Sequence, residues 1–140
     1  MKKYLAAVAL ASTLVQPAAA VTFPSLTTIY VGSGIRDNFT GQGPRVGTAF
    51  NCSNVSGVAA TVRFLVLNLD GQLVRSASIS VPHGGTRTAV TRLVGTSGVV
   101  NIESTQSAVF CNAMIVDTAV AGQGISIPLV RVNPHPGTVE

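Results

Sequence analysis

A two-residue alternation of apolar and polar side chains is the feature that most limits how this chain can fold. It is clearest in ATVRFLVLNLDGQLVRSASISV, residues 60–81. Successive side chains of a β-strand point to opposite faces, so every second residue can enter a core. The core-facing set is predicted to be Val62, Phe64, Val66, Ala77, Ile79 and Val81. Between the two arms, Asp70-Gly71 predicts a two-residue hairpin turn.

Short β-rich runs recur between glycines and prolines along the rest of the chain, and helical signals are nearly absent. This pattern predicts an all-β fold, a single antiparallel β-sandwich of about seven or eight strands. We expect strands near 26–31, 45–53, 59–69, 72–81, 86–93, 98–104, 108–117 and 124–132. All of them fit in one domain, residues 21–140, whose last residues, 133–140, are expected to form a flexible tail.

The chain opens with MKKYLAAVALASTLVQPAAA, which has the pattern of a secretory signal peptide. Lys2 and Lys3 precede an apolar run that ends before three alanines, Ala18 to Ala20. That run is shorter than the roughly 20 residues that a membrane span requires. We therefore expect residues 1–20 to be removed and a bacterial protein to be exported to the periplasm or the medium, without a membrane span.

Removal of this leader would change the charge balance of the protein. Both lysines lie in the leader, which leaves seven arginines against five acidic residues, a net charge of +2 for residues 21–140. The arginines are scattered, whereas nucleic-acid binding needs a concentrated basic face, often with stacking aromatic side chains. The sequence therefore argues against a nucleic-acid partner.

Cys52 and Cys111 are the only cysteines in the chain. In an oxidising compartment a disulfide between them is the first expectation, and a pair of buried free thiols is the alternative. Each cysteine shares one strand face with apolar neighbours, so both sulfurs are expected to point inwards. This arrangement predicts one internal disulfide that passes through the core of the sandwich.

The stretch IYVGSGIRDN, residues 29–38, has two glycines where a phosphate-binding loop would have three, and no helix pattern follows it. We therefore predict a glycine corner that leaves the first strand. The connection from Gly32 to Gly47 is long for a compact domain, and such loops often bind ligands. Its candidate ligand-binding residues are Arg36, Asp37, Asn38, Phe39 and Arg45; a solvated loop with local contacts is the alternative.

His83, in PHGGTRT, is a further candidate ligand-binding residue. Histidine followed by two glycines resembles the oxyanion loop of some esterases, but no G-x-S-x-G nucleophile motif occurs here. A turn between two strands is the alternative reading of His83. The two histidines have no partners at zinc spacing, and no nucleophile or acid has an evident partner. We therefore predict no catalytic residue, no metal ligand and no cofactor.

Four stretches carry a resemblance to known proteins: TIYVGSGIRDN, GTAFNCSNVSGVAATVRFLVLNLDGQLV, VPHGGTRTAVT and VFCNAMIVD. They resemble a group of small exported proteobacterial proteins of unknown function, over about Thr28 to Arg131. The succession of strands is also similar to the β-sandwich of the bacterial sensory rhodopsin transducer family, although that family is cytoplasmic. The resemblance implies the sandwich fold and self-association, and it assigns no functional residue.

The leading functional hypothesis is a non-enzymatic exported module, structural or protein-binding, that associates with itself. Leu65, Leu67 and Leu69 make the second face of their strand apolar, so that face needs a cover. The cover is either a neighbouring subunit or a long loop of the same chain. The alternative function is a small-ligand or glycan binder that uses the 32–47 loop, and an enzyme comes third.

Overall fold

The computed structural model of the protein describes residues 25–38, 45–92, 96–117 and 124–132. These ranges contain nine β-strands and no helix, which confirms the all-β prediction. The strands are β1 (Thr27–Asp37), β2 (Val46–Asn54), β3 (Ala60–Asn68), β4 (Leu73–Val81), β5 (Thr86–Val90), β6 (Thr96–Ser104), β7 (Val109–Asp117), β8 (Gly124–Ile127) and β9 (Leu129–Arg131). The predicted leader, 1–20, and tail, 133–140, lie outside the described residues.

The strands form two antiparallel sheets that pack together, as predicted for a sandwich. The first sheet has the order β4-β3-β6-β1-β9, and the second has the order β5-β2-β7-β8. The run predicted as one strand over 124–132 is divided at Pro128, which has no N–H to donate to a ladder. Its two halves join different sheets, since β8 pairs with β7 and β9 pairs with β1.

The core lies between the two sheets, and the predicted alternation supplies much of it. Val62, Phe64 and Val66 on β3 are all buried. Phe64 stacks on Phe50 of β2 with ring centroids 5.0 Å apart, so this aromatic pair joins the first sheet to the second. On β4, Val81 is buried and Ile79 packs against the core, while Ala77 is exposed because β4 is an edge strand.

The disulfide between Cys52 and Cys111 is present, but the predicted path through the core is wrong. The two cysteines lie directly opposite each other on β2 and β7, adjacent strands of the second sheet. Their Cα atoms are 4.2 Å apart, close to the separation of a non-hydrogen-bonded antiparallel pair. The bridge therefore fixes the register of two neighbouring strands and does not connect the two sheets.

The predicted glycine corner at 32–34 is also wrong, because β1 continues through these residues to Asp37. Gly34 has a φ of 86°, and the pairing with β6 shifts register between Ser33 and Ile35. Glycine adopts this φ without penalty, so the chain forms a β-bulge and stays in the sheet. The connection predicted over 32–47 is therefore limited to the residues between β1 and β2.

The β3–β4 hairpin turn is longer than predicted. The Asn68 N–H donates to the Gln72 carbonyl at 2.9 Å, and the Gly71 N–H donates to the Asn68 carbonyl at 3.0 Å. Leu69, Asp70 and Gly71 thus form a three-residue loop in which Gly71 alone has a positive φ, 76°. This combination is a common hairpin connection with a glycine bulge.

Candidate functional site

The end of β1 separates two of the predicted site residues onto opposite faces. Arg36 is exposed, whereas Asp37 is 1% exposed and faces the second sheet. The Asp37 Oδ1 atom accepts the Thr48 N–H at 2.9 Å and the Thr91 hydroxyl at 2.5 Å. Asp37 therefore connects β1 in the first sheet with β2 and the end of β5 in the second.

The surroundings of Asp37 disfavour its charged form. Burial raises the pKa of the Asp37 carboxyl above its ordinary value, although the hydrogen bonds from Thr91 and Thr48 oppose this shift. Oδ2 is buried without a hydrogen bond. Thr48 completes the connection, because its hydroxyl donates to the Arg36 carbonyl and accepts the Arg36 N–H, both at 3.2 Å. The arrangement acts as a polar clamp between the two sheets.

The other candidates near this clamp are less enclosed. The Asn38 N–H donates to the Val46 carbonyl at 2.9 Å, and Arg45 is exposed just before β2. Phe39 lies outside the described residues. Arg36, Asn38 and Arg45 thus belong to one end of the sandwich, and ligand binding by them stays a prediction.

His83 belongs to the other end of the sandwich. It lies in the β4–β5 turn, as its alternative reading predicted, and its Nδ1 accepts the Gly57 N–H at 3.0 Å. The adjacent Gly84 N–H donates to the carbonyl of Asn54, the last residue of β2. Thr48 and Asn54 are six strand residues apart, about 20 Å at the usual rise. The structure therefore does not bring His83 together with Asp37.

Sequence reasoning missed Asn54, which organises the His83 end. Its buried side-chain amide donates to the carbonyls of Val58 at 2.7 Å and Val81 at 2.9 Å. Its Oδ1 accepts the N–H of Ser56 at 2.9 Å and the Ser56 hydroxyl at 2.7 Å. These bonds satisfy both polar atoms of the amide, so Asn54 has a structural role in holding the 55–58 loop.

One further pair of charged side chains is in contact within the described ranges. Glu103 on β6 forms a salt bridge with Arg63 on β3 at 2.5 Å. No group of three or more His, Cys, Asp or Glu residues there could hold a metal ion. The same part of the chain has no helix suited to crossing a membrane.

The outer surface of the first sheet has an apolar patch at the β3–β4 hairpin. We call it the outer apolar patch; it consists of Leu65, Leu67, Leu73 and Val99 on the strands, together with Leu69 in the adjoining turn. Register places Leu67 between Leu73 of β4 and Val99 of β6, so these side chains share one face. Leu69 is 83% exposed and Leu73 is 58% exposed. Most of the surface of these two side chains is therefore open to solvent.

The fold and this surface define an all-β, disulfide-bonded domain with an exposed apolar patch on one sheet. Comparison with known proteins adds no relative: no family model, no curated protein and no solved structure gives a significant match to the chain.

Proposed function

We propose that this protein is an exported, non-enzymatic module that binds protein, and that its first partner is a second copy of itself. The observation that carries the proposal is the outer apolar patch, in which Leu69 and Leu73 are largely exposed beside the half-buried Leu65 and Leu67. Exposed apolar clusters on soluble domains commonly mark interaction surfaces. In a two-fold symmetric contact the same patch serves both subunits, so one surface is sufficient.

The size of the patch indicates a reversible contact. Complete burial of an exposed leucine side chain is worth about 1.5–3 kcal/mol, and a symmetric dimer buries each leucine twice. Association costs at least about 4 kcal/mol in lost freedom of motion, and often much more. These terms leave at most about 8 kcal/mol, so we expect a dissociation constant no lower than the micromolar range.

Export is supported by the leader pattern in residues 1–20 together with the Cys52–Cys111 disulfide, since disulfides persist in oxidising compartments. A non-enzymatic role is supported by the contacts of two acidic side chains with neighbouring residues. Asp37 is held by Thr48 and Thr91, and Glu103 is paired with Arg63.

The test is light scattering on the purified chain from residue 21, at about 1 mM, roughly a thousand times the lower limit of the dissociation constant. The native sequence is expected to give a dimer mass that falls on dilution. The double variant Leu69→Asp/Leu73→Asp is expected to be monomeric, because it would place charges in the contact.

The matched control is Val55→Asp/Val58→Asp. These valines are about as exposed as Leu73, at 56% and 55%, but they precede β3 at its opposite end. The control is expected to remain dimeric. A native monomer at this concentration, or equal dissociation of both double variants, would overturn the proposal.

A further inference from the structure

A crevice opens between the two sheets where the edge strands β4 and β5 diverge. It has a volume of about 120 Å³. Its inner wall is formed by Phe50, Phe64 and Val66, which are buried core residues. Its remaining lining residues come from β4, β5 and the residues just after β5: Arg75, Ala77, Ala89, Val90, Thr91 and Arg92.

The crevice combines an apolar interior with a cationic mouth. Arg75 and Arg92 are both exposed, and none of the described residues that line the crevice is acidic. Thr91 is in the lining, but its hydroxyl donates to Asp37, which does not line the crevice. A small molecule in the crevice would therefore meet apolar side chains towards the core and positive charge at the mouth.

The position of Arg75 is unusual for its strand. It pairs with Val66 of β3, so it continues the core-facing series of Ala77, Ile79 and Val81. Its side chain makes no hydrogen bond or ion pair with another described residue. An inward-pointing charged side chain on an edge strand protects that strand from pairing with other chains. The lining of the crevice gives Arg75 a second use, as the binding group for an anion.

We propose that this crevice binds a small carboxylate that carries one aromatic ring or a short branched aliphatic group. An apolar cavity of about 150 Å³ holds a benzene molecule, so a crevice with an open mouth and about this volume fits one ring. The accessible walls of the crevice include the side chains of Ala77, Ala89 and Val90, which offer the ring an apolar surface. The guanidinium of Arg75 can donate two parallel hydrogen bonds to the carboxylate. This site does not depend on self-association, because the outer apolar patch lies on the other face of the first sheet.

The experiment is an NMR titration of the ¹⁵N-labelled chain from residue 21 with benzoate, to about 10 mM, which detects millimolar affinity. Benzyl alcohol is the uncharged comparison. Benzoate is expected to shift the amide signals of Ala77, Ala89 and Thr91 and to bind about tenfold more tightly than benzyl alcohol, as a charge-assisted hydrogen bond requires.

Two variants separate the anion site from a general charge effect. Arg75→Gln is expected to weaken benzoate binding about tenfold and to leave benzyl alcohol unchanged. The matched control is Arg87→Gln, an exposed arginine on β5 that does not line the crevice, and it is expected to bind benzoate as the native chain does.

The amide spectrum of each variant also reports whether it is folded. Absence of shifts at the crevice, equal affinity for the two ligands, or equal effects of the two variants would overturn the proposal. Either of the last two results would indicate that Arg75 only protects the edge strand from pairing with other chains.

Discussion

Removal of the Cys52–Cys111 bridge is expected to lower the free energy of unfolding by about 4 kcal/mol. The two cysteines are separated by 59 residues, and a chain-entropy treatment of a loop of this length gives that value at 25 °C. Whole domains of this size are stable by only about 5–15 kcal/mol, so the loss would be a large fraction of the total. The fold should nevertheless form, because β2 and β7 keep nine paired positions without the bridge.

The assay is urea unfolding of the native chain and of Cys52→Ala/Cys111→Ala, followed by circular dichroism. Alanine is preferred to serine because Cys52 is fully buried and a hydroxyl there would need a partner. With a slope of about 1.5 kcal/mol per molar urea, the midpoint should fall by about 2–3 M. The reduced native chain is the control, since it removes the bond and keeps the side chains. A loss below about 1 kcal/mol in both samples would refute the argument from loop entropy.

Two further changes test the polar clamp and the packing of the sheets. The raised pKa of Asp37 means that its contribution to stability is greatest below its ordinary pKa of 3.8 and is lost as pH rises through the folded-state value. Urea unfolding at a series of pH values above 3.8 should show this loss of stability in the native chain and not in Asp37→Asn. The same pH dependence of stability in both proteins would contradict a raised pKa for Asp37. Gly98→Ala should destabilise far more than Gly34→Ala, because a Cβ on Gly98 would lie 1.9 Å from the Leu67 carbonyl oxygen, whereas one on Gly34 meets open space. Gly34→Ala should lower the free energy of unfolding by about 1–2 kcal/mol, because alanine is strained at this positive φ. Equal losses of stability for the two variants in thermal melting would contradict the described pairing.

The fold class could be predicted because it depends on local alternation. Val62, Phe64 and Val66 occupy the core in the predicted phase, and Val81 and Ile79 follow on β4. Sheet membership depends on pairing between distant strands, which alternation does not encode. An inward-facing cysteine can meet another across the core or on the next strand, so the sequence predicts the disulfide correctly but its path through the core wrongly.

The glycines of IYVGSGIRDN predict a corner, whereas the structure has a β-bulge, because both require the same conformational freedom. The sequence contains Gly34 in either case, and the pairing of β1 with β6 decides the outcome. The predicted glycine corner places Asp37 in the 32–47 connection, whereas Asp37 ends β1 and is buried because Thr48 and Thr91 supply its hydrogen bonds.

The functional surfaces were predicted only in part. Leu65, Leu67 and Leu69 follow from the alternation, but Leu73 and Val99 join the outer apolar patch through strand pairing. The crevice is formed by strands of both sheets and has no local pattern. One signal could have indicated the crevice: Arg75 lies in the core-facing phase of β4, where a charged side chain is unusual.

The central functional claim is that two copies of the chain meet through the outer apolar patch. The most direct measurement is a dilution series of methyl NMR spectra of the native chain. The account predicts concentration-dependent shifts at Leu65, Leu67, Leu69 and Leu73 and constant signals at Ile125, which is 71% exposed on β8 of the second sheet. Signals that stay constant at all four leucines, or shifts centred on Ile125, would contradict it.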